Sequence, residues 1–147
     1  MTKIEEAVAY FKDGFSCSQA IVAAYGPSVG LDRDTALKIA SGFGGGMGRL
    51  AETCGAVTGA FMVLGLTFGS AASDREAKEA VYTRVREFAE RFKARHGSLL
   101  CRDLLGCDLN TPEGLALAQE KKLSSTVCPP YVETAAKILE EMTGGYL

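Results

Sequence analysis

From Thr53 to Ser73 the chain carries no charged residue. A stretch of that length approaches a membrane span. Inside a globular protein, a helix apolar on all sides has to sit at the centre of other helices. Composition separates the two. Gly55, Gly59, Gly65 and Gly69, with Thr58, Thr67 and Ser70, dilute the segment, and its strongly apolar part is only Ala60 to Leu66. It therefore reads as the central helix of a bundle, from about Thr53 to about Phe68, and no membrane span is expected.

The flanking sequence supplies helices and no convincing strand. Thr2 to Glu5 and Ser16 to Gln19 are capping-box patterns, each opening a run with helical spacing of apolar residues. Asp32 or Asp34 can cap a third helix. Asp74 opens a long one that ends at His96-Gly97. Ser98 can cap a short helix through Cys101 to Leu105. Thr111-Pro112 is a cap followed by proline at the first helical position, and Pro129-Pro130 opens the last helix. The expectation is an all-α, compact single-domain bundle over residues 1–147, with six to eight helices around the apolar, glycine-bearing one. The stripe Val81, Val85, Phe88, Phe92 reads as core packing or a homodimer face. Gly55 and Gly59 would let a neighbouring backbone come close.

Net charge is −2 and there is no basic block or Trp, so nucleic acid is not an expected partner. The charged, amphipathic N-terminus does not read as a signal peptide, and the expected location is cytoplasmic. Residues 42–48 are rich in glycine, and Gly46-Met47-Gly48-Arg49-Leu50-Ala51 fits the relaxed dinucleotide fingerprint. That fingerprint needs a strand before it and a βαβ unit around it. TALKIASG, which precedes it, reads as helix, so no nucleotide is expected and the loop is taken as a flexible or tightly turned helix–helix connection.

The five cysteines carry more chemistry. Cys17, Cys54, Cys101 and Cys128 each fall at an expected helix start. Unpaired N–H groups and the positive dipole end there favour thiolate over thiol, and the thiolate is both the nucleophile and the metal ligand. There is no C-x-x-C, and the closest pair, Cys101 and Cys107, is separated by five residues. An odd count in a cytosolic setting argues against structural disulfides. Taken singly, each cysteine could also be a small buried apolar residue.

These residues resemble a family. Cys54-Gly55-Ala56-Val57-Thr58-Gly59 matches the CGAxxG motif of the C_GCAxxG_C_C redox-active proteins. Ser16 to Ala20, Cys101 to Gly106 with Thr111 to Gly114, and Cys128-Pro129 match its other cysteine segments, so the resemblance spans nearly the whole chain. It implies that Cys17, Cys54, Cys101 and Cys128 are the characteristic set and Cys107 an extra. A similar domain occurs with an iron–sulfur centre in cytochrome-type proteins, but the C-x-x-C-H signature is missing here, so no haem is expected.

Two chemistries then compete. In the first, Cys54 is the attacking thiolate of a thiol–disulfide redox protein serving an unidentified electron partner, and Cys17, Cys101 or Cys128 resolves the mixed disulfide. In the second, the same four cysteines ligate an iron–sulfur cluster or zinc. A helical structural module with incidental thiols is the third reading. His96 is expected to interact with the carbonyls at its helix end. Arg49 and Arg102 read as exposed cations, or as support for a thiolate or an anionic substrate. Glu52 and Asp103 read as helix-start charges.

Overall fold

The computed structural model describes residues 1–145 and 147. The described residues are helical and contain no named strand. In chain order the helices are α1 (Lys3–Lys12), α2 (Cys17–Tyr25), α3 (Arg33–Ile39), α4 (Gly44–Met47) and α5 (Gly55–Phe68). There follow α6 (Arg75–His96), α7 (Cys101–Leu105), α8 (Pro112–Glu120), α9 (Leu123–Thr126) and α10 (Pro129–Thr143). The short turn α9 has no counterpart in the sequence reading. Among the described residues, no helix is long and apolar enough to cross a membrane.

Local rules set most of the boundaries. Thr2 and Ser16 both close capping boxes with the residue three positions on. The Asp32 and Asp74 side chains accept backbone N–H groups at the starts of α3 and α6. Gly97, in left-handed conformation, ends α6. Each N-cap satisfies a donor that a helix start would otherwise leave bare, and the Gly97 N–H donates to the Lys93 carbonyl at the end of α6.

The apolar segment occupies the centre, as its lack of charge requires, but it shares that place. In α5 the residues from Gly55 to Ala60, with Val63 and Leu64, are buried, whereas Leu66 near its end is exposed. In α2 everything from Ala20 to Tyr25 is buried. The two helices cross where α5 has no side chains. A Cβ on Gly55 would lie 3.0 Å from the Ser18 nitrogen, and one on Gly59 would lie 3.1 Å from the Ser18 oxygen. These glycines are what let α2 approach so closely. From α6, Phe88 and Phe92 are fully buried and Val85 packs against the same core. Burial of such side chains supplies about 1.5–3 kcal/mol each. Three of the four stripe residues are therefore core.

The glycine loop is a correction to any picture of a slack connector. Gly45, Gly46, Met47, Gly48 and Arg49 all have φ between 61° and 69°, so the chain makes a left-handed turn through α4. Ala51 follows with φ 61°. Left-handed backbone costs a residue with a side chain roughly 1–2 kcal/mol, so Met47, Arg49 and Ala51 are held there by their surroundings.

Candidate functional site

Each of the four characteristic cysteines lies at a helix start. Cys17 is the first residue of α2, behind the Ser16 cap. Cys54 is the N-cap residue of α5, Cys101 opens α7, and Cys128 directly precedes α10.

Two further devices turn these scattered positions into one site. Residues 52–54 pair antiparallel with residues 99–101. The Cys54 N–H donates to the Leu99 carbonyl at 2.8 Å, and the Cys101 N–H donates to the Glu52 carbonyl at 2.6 Å. Thr53 and Leu100 face each other between these bonds. Side chains alternate across such a pairing, so Cys54 and Cys101 project to the same side of it. The second device is the absence of side chains on the loop. A Cβ on Gly46 would lie 2.6 Å from the Cys101 Cβ, and one on Gly55 would lie 3.3 Å from the Cys17 Cβ.

The result is a cavity of about 620 Å³ that Cys17, Cys54, Cys101 and Cys128 all line. Cys107 is not among its lining residues. Cys54 is 5% exposed and Cys101 8%, while Cys17 and Cys128 are half-buried. All five cysteines are free thiols. Pockets of this size suit small molecules.

The electrostatics divide the four thiols into two kinds. Sharing of its proton with Cys128 first and Cys54 second, together with its burial, raises the Cys17 pKa well above the ordinary thiol value. Cys54 is lowered, first by its share of the Cys17 proton, and further by the N–H groups of Ala56 and Val57, against the opposing effect of burial. The Cys54 sulfur sits over these helix-start donors without forming a well-aligned capping bond to either. Cys128 is lowered by Cys17, while burial and the charge of Cys54 oppose it. Cys101 is pushed up to about 12, by burial first and then by negative charge on Cys54, Cys128, Cys107 and Asp108.

The helix-start argument therefore needs correction for three of the four. It describes Cys54. Cys128 has helical dihedrals, and the next two residues are prolines without N–H groups, so its helix offers its sulfur little. Cys17 and Cys101 are driven upward because closely spaced sulfurs in a buried space cannot all ionise.

Other expectations are also resolved. The His96 ring pairs with the Thr134 hydroxyl at 2.8 Å and packs edge-on against Tyr131, rather than binding the end of α6. Tyr131 does line the cavity and donates its hydroxyl to the Leu104 carbonyl at 2.8 Å. Nothing in its sequence context marked it beyond its place three residues after Cys128. Arg102 donates to the Ala51 carbonyl and lies 3.6 Å from Glu52, outside the cavity, whereas Arg49 lines it. Lys122, also on the cavity lining, carried no sequence signal. Among the described residues, no three or more His, Cys, Asp or Glu side chains are grouped closely enough to hold a metal ion.

A family model described as "Putative redox-active protein (C_GCAxxG_C_C)" matches residues 15–142. The chain belongs to that family. No curated protein and no solved structure matches it.

Proposed function

We propose that this family member is a thiol–disulfide redox protein in which Cys54 is the nucleophile and Cys17 the resolving thiol. The observation that carries this reading is the meeting of Cys54, at the N-cap of α5, with Cys17 on one cavity, and the opposed shifts of the two thiols support it. Cys17 is held protonated while Cys54, which it faces, is held towards thiolate. A dithiol working as a redox couple needs that division, with one sulfur ready to attack and one held in reserve.

The Cys54 thiolate attacks one sulfur of a partner disulfide, forming a mixed disulfide and releasing the other partner sulfur as thiolate. Cys54 then no longer accepts the Cys17 proton. The Cys128 thiolate, the other group that shares the Cys17 proton, takes that proton. The Cys17 thiolate attacks the Cys54 sulfur and expels the second partner thiolate. Two electrons pass to the partner, and the protein is left with a Cys17–Cys54 disulfide. In the reverse direction it oxidises a dithiol. A reducing compartment such as the cytoplasm would keep the resting state as the four free thiols.

Four sulfurs around one cavity also support the second reading, a cysteine-ligated iron–sulfur cluster or zinc. Among the described residues, the side chains as they stand are not grouped closely enough for that. One experiment separates the readings. The protein is purified anaerobically, assayed for iron, sulfide and zinc, and titrated against a dithiol/disulfide buffer. The redox reading expects a metal-free protein with one reversible two-electron couple that Cys54→Ser and Cys17→Ser each abolish. Stoichiometric iron and sulfide, or a couple indifferent to both substitutions, would sink it.

A further inference from the structure

The cavity over the cysteines has a polarity that the thiol chemistry does not require. Among the described residues, its charged lining residues are Arg49 and Lys122, and no carboxylate lines it. The chain as a whole has 18 acidic residues against 16 basic ones, so two cations without an acid is not the local share of an overall excess. Among the described residues, neither cation forms an ion pair, although six such pairs are made elsewhere.

Both cations also stand on strained backbone. Arg49 has φ 69° and Lys122 has φ 52°, in two separate loops. Left-handed conformation at a residue with a side chain is costly and gathers at functional sites. The Arg49 stem folds back over Gly45, where a Cβ would lie 3.0 Å from the Arg49 Cγ and 3.6 Å from a Leu109 methyl. The same lining carries apolar side chains, Phe15, Leu109 and Leu115 among them, beside the polar Ser16, Gln19 and Gln119. Cys54 itself, at 5% exposure, is out of reach of a disulfide on the surface of a folded protein.

We infer that the redox partner is a small organic disulfide, or in reverse its thiol, with an apolar body and a carboxylate group that Arg49 and Lys122 hold at the rim. This rests on the thiol reading of the cavity. The body fills the apolar walls and brings one sulfur down to Cys54. Attack by the Cys54 thiolate forms the protein–ligand disulfide and releases half of the ligand as its thiolate. Cys17 then displaces the other half, so one ligand disulfide becomes two thiols while the protein gains one disulfide. Arg49 and Lys122 contact the ligand and not the reacting sulfurs. They set which disulfide enters.

The test uses the reduced full chain carrying Cys107→Ser, which removes the thiol outside the cavity. Three disulfides serve as probes: the dicarboxylate 5,5′-dithiobis(2-nitrobenzoate), neutral 4,4′-dithiodipyridine and cationic cystamine. Each rate is divided by that probe's rate with a free small thiol. The normalised order should be dicarboxylate, then neutral, then cation. Exposed charges contribute up to about 1 kcal/mol each. Arg49→Gln with Lys122→Gln should therefore slow the dicarboxylate by about five- to tenfold, and leave the neutral probe within about twofold. Raising the salt to about 0.5 M should act on the unsubstituted rim in the same direction. Equal normalised rates for anion and cation, or a dicarboxylate rate unmoved by the double substitution, would overturn the inference. Failure of the neutral probe to modify Cys54 would instead remove the thiol reading, and the inference with it.

Discussion

Cys17 and Cys54 line the same cavity and their thiols are shifted in opposite directions, Cys17 towards the protonated form and Cys54 towards thiolate. The Cys17 proton is shared with Cys128 first and Cys54 second, and the Ala56 and Val57 N–H groups add to the lowering of Cys54. Cys17→Ala should therefore raise the Cys54 pKa. A hydrogen bond to a charged group is worth about 1.5–3 kcal/mol, so alkylation of Cys54 near neutral pH should slow by about tenfold or more. Cys17→Ser keeps a donor and should retain most of the rate. The pH profile of iodoacetamide labelling, with the site read by mass spectrometry, measures both. Equal profiles for the alanine and serine variants would show that the Cys17 proton does not matter.

Alkaline pH should weaken the fold through the thiols held protonated. Cys17 and Cys101 are both raised, Cys101 to about 12. In the unfolded chain they ionise near the ordinary value of about 8.5. Between about 8.5 and the folded values, the native state binds more protons than the unfolded one. Their stabilisation is thus full below that window and is lost as pH rises through it. Cys101→Ala removes its share. Urea unfolding under reducing conditions at about pH 8 and about pH 10.5 tests this. The variant should start less stable than the parent protein and lose less between the two. Parallel losses would count against a protonated Cys101.

Local chemistry made much of the helix map legible: the Ser16–Gln19 box, Asp74 before α6, Gly97 after it, and proline behind Thr111. The placing of four cysteines at helix starts was legible for the same reason. Their meeting was not. It depends on residues 52–54 pairing with residues 99–101, and on α2 lying in the groove left by Gly55 and Gly59, contacts between segments far apart in the chain. The downward direction was legible for Cys54 and Cys128, although at Cys128 a neighbouring sulfur causes it and not the helix end, while burial and neighbouring sulfurs reverse it at Cys17 and Cys101. The left-handed turn was hidden because Met47, Arg49 and Ala51 lack the freedom that glycine has. Propensity argues against their conformation, and tertiary packing enforces it.

Gly46 and Gly48 have nearly the same left-handed backbone, with φ 68° and 61°, but different surroundings. A Cβ on Gly48 meets nothing nearer than the Gly42 oxygen at 3.7 Å. Gly48→Ala should cost only the conformational penalty, about 1–2 kcal/mol. A Cβ on Gly46 would fall 2.6 Å from the Cys101 Cβ and 2.8 Å from the Glu52 nitrogen. Gly46→Ala must therefore push apart the pairing that aligns Cys54 with Cys101. It should cost more than about 3 kcal/mol, in the range of severe core substitutions, and alter the labelling rates of both thiols. Chemical denaturation with thiol labelling of the folded fraction compares them. Similar losses at the two positions would mean that the contact with Cys101 carries no weight.

Gly59 and Gly65 allow the same comparison within α5. Alanine at a helical glycine gains about 1 kcal/mol from propensity alone. At Gly65 a Cβ meets nothing within 4 Å, so Gly65→Ala should stabilise the protein by up to that amount. At Gly59 the Cβ would lie 3.1 Å from the Ser18 oxygen and 3.2 Å from the Ile21 Cβ. Those neighbours belong to a buried helix and cannot rotate aside. Overpacking of this kind costs about 1–3 kcal/mol, so the net effect of Gly59→Ala should run from near zero to about 2 kcal/mol of destabilisation. Its effect on chemistry should be clearer than its effect on stability. Relief of the contact moves α2 away from α5, and α2 carries Cys17 while α5 begins at Cys54. The Cys17–Cys54 contact should loosen, and Cys54 labelling near neutral pH should slow in Gly59→Ala but not in Gly65→Ala. Unchanged labelling in both would mean that the close crossing of α2 and α5 serves packing alone.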